Sequence, residues 1–304
     1  WNRTRVSISL IILMISSSIQ KSSAFISKYH HPSHINVFKK SHYKSFHSND
    51  KPLSLFESLN DISSDSLYIL DGTSMLYTSY YSPNNADHYQ GSGVESVINP
   101  RGALVCMTKY FLNFIQRVRP RYLAVAFDHS DLTFRHHLYE QYKQHRKPRP
   151  PGLKEQLRLA SPLLTSLGAA CFTSSGYEAD DLMATLGTWA QSRGQEVVLI
   201  SPDKDMHQLV SDGLYVYNPL KSELLGVQEI KEKYKLPPER LCDYQALIGD
   251  SADNIPGVRN IGPVYATPIL THFESLDHLY NSILITPSHS SNKGRERERK
   301  KERE

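Results

Sequence analysis

Nine acidic residues in five short groups carry the clearest chemistry in this sequence. Asp71 stands before Gly72 and Asp128 before His129. Glu178, Asp180 and Asp181 fall within Gly176-Tyr-Glu-Ala-Asp-Asp181. Asp203 and Asp205 flank Lys204, while Asp250 and Asp253 are spaced to share one face of a helical turn. One acid at a helix start is ordinarily a cap or a dipole partner. Three within four residues exceed that need, and like charges so close repel unless a cation lies among them. Oxygen donors without His or Cys select hard cations such as Mg²⁺, with Mn²⁺ able to substitute. So many carboxylates for an ion that keeps several waters imply two or more ions. A pair about 4 Å apart can activate water and stabilise the leaving oxygen in phosphodiester hydrolysis.

Charge along the chain fits that reading. The formal net charge is +4, yet residues 1–49 hold seven Lys/Arg and no acid, and residues 293–304 carry +3. The body between them, 50–292, is therefore at −6. Bound cations would reconcile an acidic body with a polyanionic substrate. Three widely spaced cysteines suggest neither a disulfide framework nor a zinc site, and read as buried small hydrophobes in a reducing compartment.

The ends have a different character. Arg3 and Arg5 precede the apolar run Val6–Ile15, which is short for a membrane span and suits a signal core. Ser22-Ser23-Ala24-Phe25 leads into an acid-free stretch rich in Ser, Lys and His, which resembles a transit peptide. Residues 1–49 are thus expected to be a disordered targeting presequence for a plastid (including a complex plastid) or a mitochondrion. No stable membrane association is expected. Residues 284–304 read as a disordered or non-coding tail.

Positioning such acids requires a scaffold, and the apolar runs supply one. Ser66–Leu70, Tyr122–Phe127, Glu196–Ile200 and Leu214–Tyr217 read as buried strands, two of them leading directly into an acid and the third reaching Asp203 through Ser201-Pro202. Helical patterns cover Gly102–Val118, Gly152–Leu167, Ala179–Ser192 and Val227–Tyr234. This alternation implies an α/β fold with a mostly parallel central sheet and helices on both faces. Ligands then bind beyond the carboxyl ends of the strands, where the acids fall. From His129 to about Pro151, basic residues interleave with Phe134, Tyr139 and Tyr142. Such a mixture suits a surface that tracks a nucleic-acid backbone, although a solvated loop is the commoner meaning of a charge run.

At these residues the chain, from about Ser66 to Tyr280, resembles the 5′→3′ exonuclease domain of bacterial DNA polymerase I and the related flap endonucleases. The matching segments are Asp71-Gly-Thr-Ser74 with Leu76-Tyr77, Phe127-Asp128, Thr133-Phe-Arg135 and Tyr142-Lys-Gln-His-Arg146. They continue with Gly176–Asp181, Ser201-Pro-Asp-Lys-Asp205 and Gly249–Val258.

The resemblance implies a PIN-like 5′ nuclease domain over 50–283, with a helical arch at about 129–158 and a helix-hairpin-helix at about 245–272. It places Asp71, Asp128, Glu178, Asp180 and Asp181 around one metal, and Asp203, Asp205, Asp250 and Asp253 around a second. Asp71 and Asp128 count among the catalytic residues, as do Lys143 and Arg146, the arch cations that would engage the scissile phosphate. Arg135, Tyr142, Ser251, Gly257, Val258, Ile261 and Gly262 would contact DNA, and Tyr77 or Tyr142 could stack on a base or simply pack. Lys204 is either an internal counter-charge or a substrate contact.

The implied activity is cutting of DNA 5′ ends, flaps or nicks, including RNA-primed ones, by a standalone monomer beside a separate organellar DNA polymerase. Alternatives are a PIN-type RNA-processing nuclease, which would not need the hairpin, and a catalytically weakened DNA-binding homologue. Three departures bear on the last. Thr78 stands where the family usually has Arg and Val264 where it has Lys, and Pro268 falls inside the second hairpin helix, where it costs about 3 kcal/mol or kinks the helix.

Overall fold

The computed structural model describes residues 56–60, 62–82, 101–129 and 132–285. The expected presequence and nearly all of the expected tail fall outside these residues. A six-stranded sheet lies at the centre, in the order β3-β2-β1-β4-β5-β6. Its strands are β1 (Leu67–Asp71), β2 (Tyr122–Ala126), β3 (Ala170–Phe172), β4 (Val197–Ile200), β5 (Leu214–Asn218) and β6 (Glu223–Leu225). The first five run parallel, and β6 adds an antiparallel edge. Nine helices follow the same chain order: α1 (Gly72–Tyr80), α2 (Gly102–Val118), α3 (Phe134–Leu138), α4 (Pro151–Ser166) and α5 (Ala179–Gln191) come first among the described residues. Then come α6 (Val227–Tyr234), α7 (Leu241–Ile248), α8 (Pro263–Phe273) and α9 (Leu276–Ile285).

Helices cover both sheet faces, which is why the strands read as continuous apolar runs. Tyr68 and Leu70 share one core with Leu76 of α1, Phe111 and Phe114 of α2, and Leu164 of α4. Ile69, between them, faces the other core with Met183 of α5 and Ile230 of α6. The side-chain period of two along β1 thus divides the molecule into two packed layers.

Chain order around β1 matters for the site. The chain fills β2 and β3 on one flank of β1, then crosses to β4 on the other flank. A crevice opens at the carboxyl ends of strands where the order reverses in this way. Asp71 closes β1 there, and Ser201-Pro202-Asp203 leaves β4 beside it.

The four expected strands and four expected helices lie within a residue or two of these elements. Two edge strands were not expected. β3 is only three residues long and half exposed, so it has no apolar run to announce it. The expected helical arch is also different: 132–150 forms the five-residue α3, a run of turns and an extended Pro148–Pro150. Prolines at 148, 150 and 151 account for part of this, since residues before proline are pushed out of the helical region.

Beyond the sheet, α7, the two-residue strands β7 (Gly249–Asp250) and β8 (Ile255–Pro256), and α8 build the hairpin unit on a small core of its own. Helix α8 continues through Pro268, where proline removes one i→i−4 hydrogen bond. Helix α9 ends at Ile285, two residues past the expected domain limit. Cys242 is exposed and the other two cysteines are half-buried, which corrects their reading as core residues. Among the described residues, no helix is long and apolar enough to cross a membrane.

Candidate active site

Each sheet-edge acid is fixed by the element it terminates. Asp71 caps α1: its Oδ1 accepts the Ser74 N–H at 2.8 Å, and its Oδ2 accepts the Ser201 hydroxyl at 3.0 Å. The second bond crosses the switch point from β1 to β4. Asp71 is only 5% exposed. Burial pushes its carboxyl up to about 6, aided by the charge of Asp128 and opposed by the Ser74 and Ser201 bonds. Asp128 follows β2, and its Oδ1 accepts the Ala179 N–H at the start of α5, 2.8 Å away. Its own N–H donates to Thr73 Oγ1 at 2.9 Å. Burial raises this carboxyl too, with Glu178 adding repulsion.

Asp180 lies in the middle of the cluster. It has no hydrogen bond or ion pair among the described residues. Burial raises its carboxyl well above the usual range, and the charges of Asp71, Asp203, Asp128 and Glu178 add to the effect. Asp203 caps a 3₁₀ turn (Lys204–Leu209) by accepting the Asp205 N–H at 2.8 Å. Asp205 accepts the side-chain amide of Gln245 and is raised by burial and by Asp203.

The remaining acids meet cations. Glu178 Oε2 accepts Lys143 Nζ at 2.8 Å and the Tyr142 hydroxyl at 3.1 Å. Asp253 pairs with Arg146 at 2.5 Å and accepts the same Tyr142 hydroxyl at 3.0 Å. Asp250 pairs with Lys204 at 3.1 Å; burial works against its charge, but Lys204 and backbone N–H groups hold its carboxyl below the ordinary value. Asp181 binds Arg135 through both oxygens at 2.8 Å. Arg149 lies 3.7 Å from Asp128.

All nine acids therefore join one linked cluster at the carboxyl edge of the sheet. Among the described residues, no group of three or more of these side chains is drawn together closely enough to hold a metal ion as it stands. Several of the carboxylates are engaged by Lys and Arg instead, so an ion that keeps its own waters fits them better than an all-protein cage would.

Several residues whose roles the sequence left open take up defined surroundings. Tyr142 is 4% exposed and packs edge-on against His136, so it is a buried hydroxyl donor and not a stacking platform. Tyr77 packs against the core with Arg149 over its ring, 5.9 Å from the centroid. Lys143, Arg146, Arg135 and Lys204 all face protein carboxylates.

In the hairpin, Gly257 is needed for packing: a Cβ there would stand 2.4 Å from the Ile248 carbonyl carbon. Gly249 (φ 75°) faces it just as closely. Gly262, in contrast, has open space where a Cβ would be, at the N-terminus of α8. Ser251 and Val258 are exposed on the hairpin, whereas Ile261 packs into its small core. Sequence reasoning gave no role to Thr73, Arg149, Ser201 or Gln245. Ser201 had a signal, being a polar residue at a buried strand end two positions before an acid.

Comparison with known proteins agrees with this architecture. The family described as 5′-3′ exonuclease, N-terminal resolvase-like domain, matches residues 66–235. The 5′-3′ exonuclease C-terminal SAM fold matches residues 236–303. A 5′-3′ exonuclease of Aquifex aeolicus is 34% identical over 213 residues, covering 70% of this chain and 71% of that protein. One from Buchnera aphidicola is 32% identical over 226 residues, covering 74% of this chain and 77% of its own. DNA polymerase I of Rhizobium leguminosarum is 34% identical over 216 residues and 71% of this chain, which spans only 21% of the polymerase. Among solved structures, the bacteriophage T5 flap endonuclease in a complex with DNA and metal ions has a TM-score of 0.59 at 20% identity, over 73% of this chain and 80% of that one. At that identity the likeness concerns the fold.

Proposed function

The chain belongs to the 5′-3′ exonuclease family, and on that premise we propose that it hydrolyses phosphodiester bonds at DNA 5′ ends, flaps and nicks, including RNA-primed ones, with two Mg²⁺ ions. One observation carries the metal reading. The nine carboxylates are met by five cations within 4 Å: Arg135, Lys143, Arg146, Arg149 and Lys204. Four negative charges remain, those of Asp71, Asp180, Asp203 and Asp205, and two divalent cations would neutralise them. Oxygen donors alone fit Mg²⁺, with Mn²⁺ as a substitute. When bound, such ions supply an activated water and stabilise the leaving oxygen.

The chain's own residues have distinct tasks. Asp71, Asp128, Glu178 and Asp180 would hold the ion nearer β1, with Asp203, Asp205, Asp250 and Asp253 holding the second. Lys143 and Arg146 reach the crevice from the arch segment, where a phosphate could take over from Glu178 and Asp253 as their partner. The hairpin, with open space at Gly262, offers the N-terminus of α8 to a duplex phosphate. A hairpin built for duplex DNA favours this reading over cleavage of single-stranded RNA.

A labelled flap, a nicked duplex and an RNA-primed duplex, each incubated with and without Mg²⁺, test the proposal. Cleavage of all three is expected only with the metal, and inert protein in both Mg²⁺ and Mn²⁺ would end it. The same reading has the chain act as a monomer beside a separate organellar DNA polymerase. Plastid or mitochondrial residence rests on the sequence of residues 1–49 alone. Imaging the full chain with a C-terminal fluorescent tag would reveal it, and diffuse cytosolic signal would count against it.

A further inference from the structure

Asp180 and Asp181 are neighbours in one motif, yet the structure gives them opposite surroundings. They are the second and third residues of the pair-rich opening of α5, about 100° apart around the helix. Asp180 turns into the crevice towards Asp71, Asp128 and Asp203, with no partner among the described residues. Asp181 turns away. Its Oδ2 accepts the Glu178 N–H at 2.9 Å, completing a capping box, and also accepts Arg135 Nη1 at 2.8 Å. Its Oδ1 accepts Arg135 Nη2 at 2.8 Å. The carboxylate is thus committed twice over, in a fork geometry that is among the strongest side-chain pairings.

Arg135 sits at the foot of the segment that carries Lys143 and Arg146. That foot has two further attachments: Phe134 N–H to the Gly176 carbonyl at 3.0 Å, and the Phe134 ring against Tyr177 at 5.6 Å. The far side of the segment is held separately, by Lys143 N–H to the Asp253 carbonyl at 3.0 Å and Asn254 Nδ2 to the Gln141 carbonyl at 2.8 Å.

We propose that Asp181 is a positioning residue and not a metal ligand: through Arg135 it fixes the foot of the arch, and through the Glu178 N–H it fixes the ligand beside it. The inference rests on the nuclease reading above and reassigns one residue within it. It makes a prediction of sign. If Asp181 held a metal, removing its competitor by Arg135→Gln would tighten metal binding, whereas Asp181→Asn would weaken it. If Asp181 acts through Arg135, the two substitutions act alike, and combining them adds nothing further.

The experiment measures Mn²⁺ binding by electron paramagnetic resonance without DNA, tryptic cleavage after Lys143 and Arg146, and kcat and KM on a flap. Each single variant is expected to raise KM about tenfold with a smaller change in kcat, and to speed tryptic cleavage equally. The double variant should match Asp181→Asn, which already disturbs both contacts, and Arg135→Lys should recover part of the loss because charge without the fork restores only part of the pairing. Opposite shifts in Mn²⁺ affinity for Arg135→Gln and Asp181→Asn would overturn the inference, as would additive losses. Arg135→Gln leaves the capping box intact, so it decides the matter even if Asp181→Asn folds poorly. Mn²⁺ binding and proteolysis are read without cleavage, so failure of the nuclease reading remains distinguishable.

Discussion

The crevice has two walls, and they solve the same electrostatic problem differently. On the sheet wall, Asp71, Asp180 and Asp203 have no ion pair among the described residues, and Asp71, Asp128 and Asp180 all hold protons more tightly than usual. On the arch and hairpin wall, Glu178, Asp250 and Asp253 each have a Lys or Arg within 3.1 Å. The first wall is rigid, since its acids end buried strands and cap helices. The second is assembled from turns and a two-stranded hairpin with a core of five buried residues. The difference separates two needs: a fixed seat for cations, and a wall whose own cations can change partners when a phosphate arrives.

The widest gap between the walls should appear with Asp180→Asn. Removing the central, unpartnered acid is expected to lower cleavage by about 10³-fold, because a lost metal-site contact acts mainly on the transition state. Flap binding should persist. The same change should raise the Tm of metal-free protein by a few degrees, since it relieves repulsion in a buried cluster. A fall in Tm would show that the sheet wall is not strained by its charge.

A pH series sharpens the contrast within the sheet wall. Asp71 moves from 3.8 to about 6 on folding, which corresponds to roughly 3 kcal/mol. The folded state holds this proton more tightly, so the stabilisation is complete below pH 3.8 and is lost as the pH rises through about 6. Metal-free Asp71→Asn should therefore match the wild type near pH 4 and exceed it in stability at pH 7. Chemical denaturation of both proteins at each pH provides the test, and a difference independent of pH would refute it. Added Mg²⁺ should shrink the gap at pH 7 by stabilising only the wild type.

On the arch wall, Lys143→Ala should reduce kcat on a flap by about 10²-fold, within the range for removing one charged stabiliser. It also leaves Glu178 without its 2.8 Å partner. Metal-free protein should then lose stability, opposite in sign to Asp180→Asn, and thermal melts of the two variants side by side would expose an equal response if the walls do not differ.

How far the sequence reveals these walls follows from the same physics. The sheet wall was legible because strand-end acids obey a local rule: an apolar run, then Asp, as at Leu67–Asp71 and Tyr122–Asp128. Asp180 and Asp181 could not be told apart, because which face of α5 each takes depends on Arg135, 46 residues earlier. Stacking and packing could not be separated for Tyr142 because composition does not disclose burial; its hydroxyl bridges Glu178 to Asp253, 111 residues ahead of it. Strand β3 has no periodic signal within its three residues. What failed to show was whatever depends on contacts distant along the chain.

The smallest effect concerns the hairpin's grip on DNA. Val264 is 79% exposed on the first turn of α8, beside the open space at Gly262, so an apolar side chain projects where a duplex phosphate would approach. Nothing packs on it tightly enough for a substitution to disturb the small core formed by Leu236, Tyr244, Leu247, Ala266 and Leu270. Val264→Lys should therefore leave Tm within about 2 °C, since surface substitutions rarely exceed 0.5 kcal/mol. One added phosphate contact should steepen the plot of log affinity against log salt by about 0.9. Fluorescence anisotropy with a catalytically dead background such as Asp180→Asn would measure that slope. Flap affinity at low salt should tighten several-fold, and kcat at saturating substrate should stay constant because Val264 lies on α8, outside the acid cluster and its cations. An unchanged slope would place the DNA path away from α8 and return the hairpin to a purely structural role.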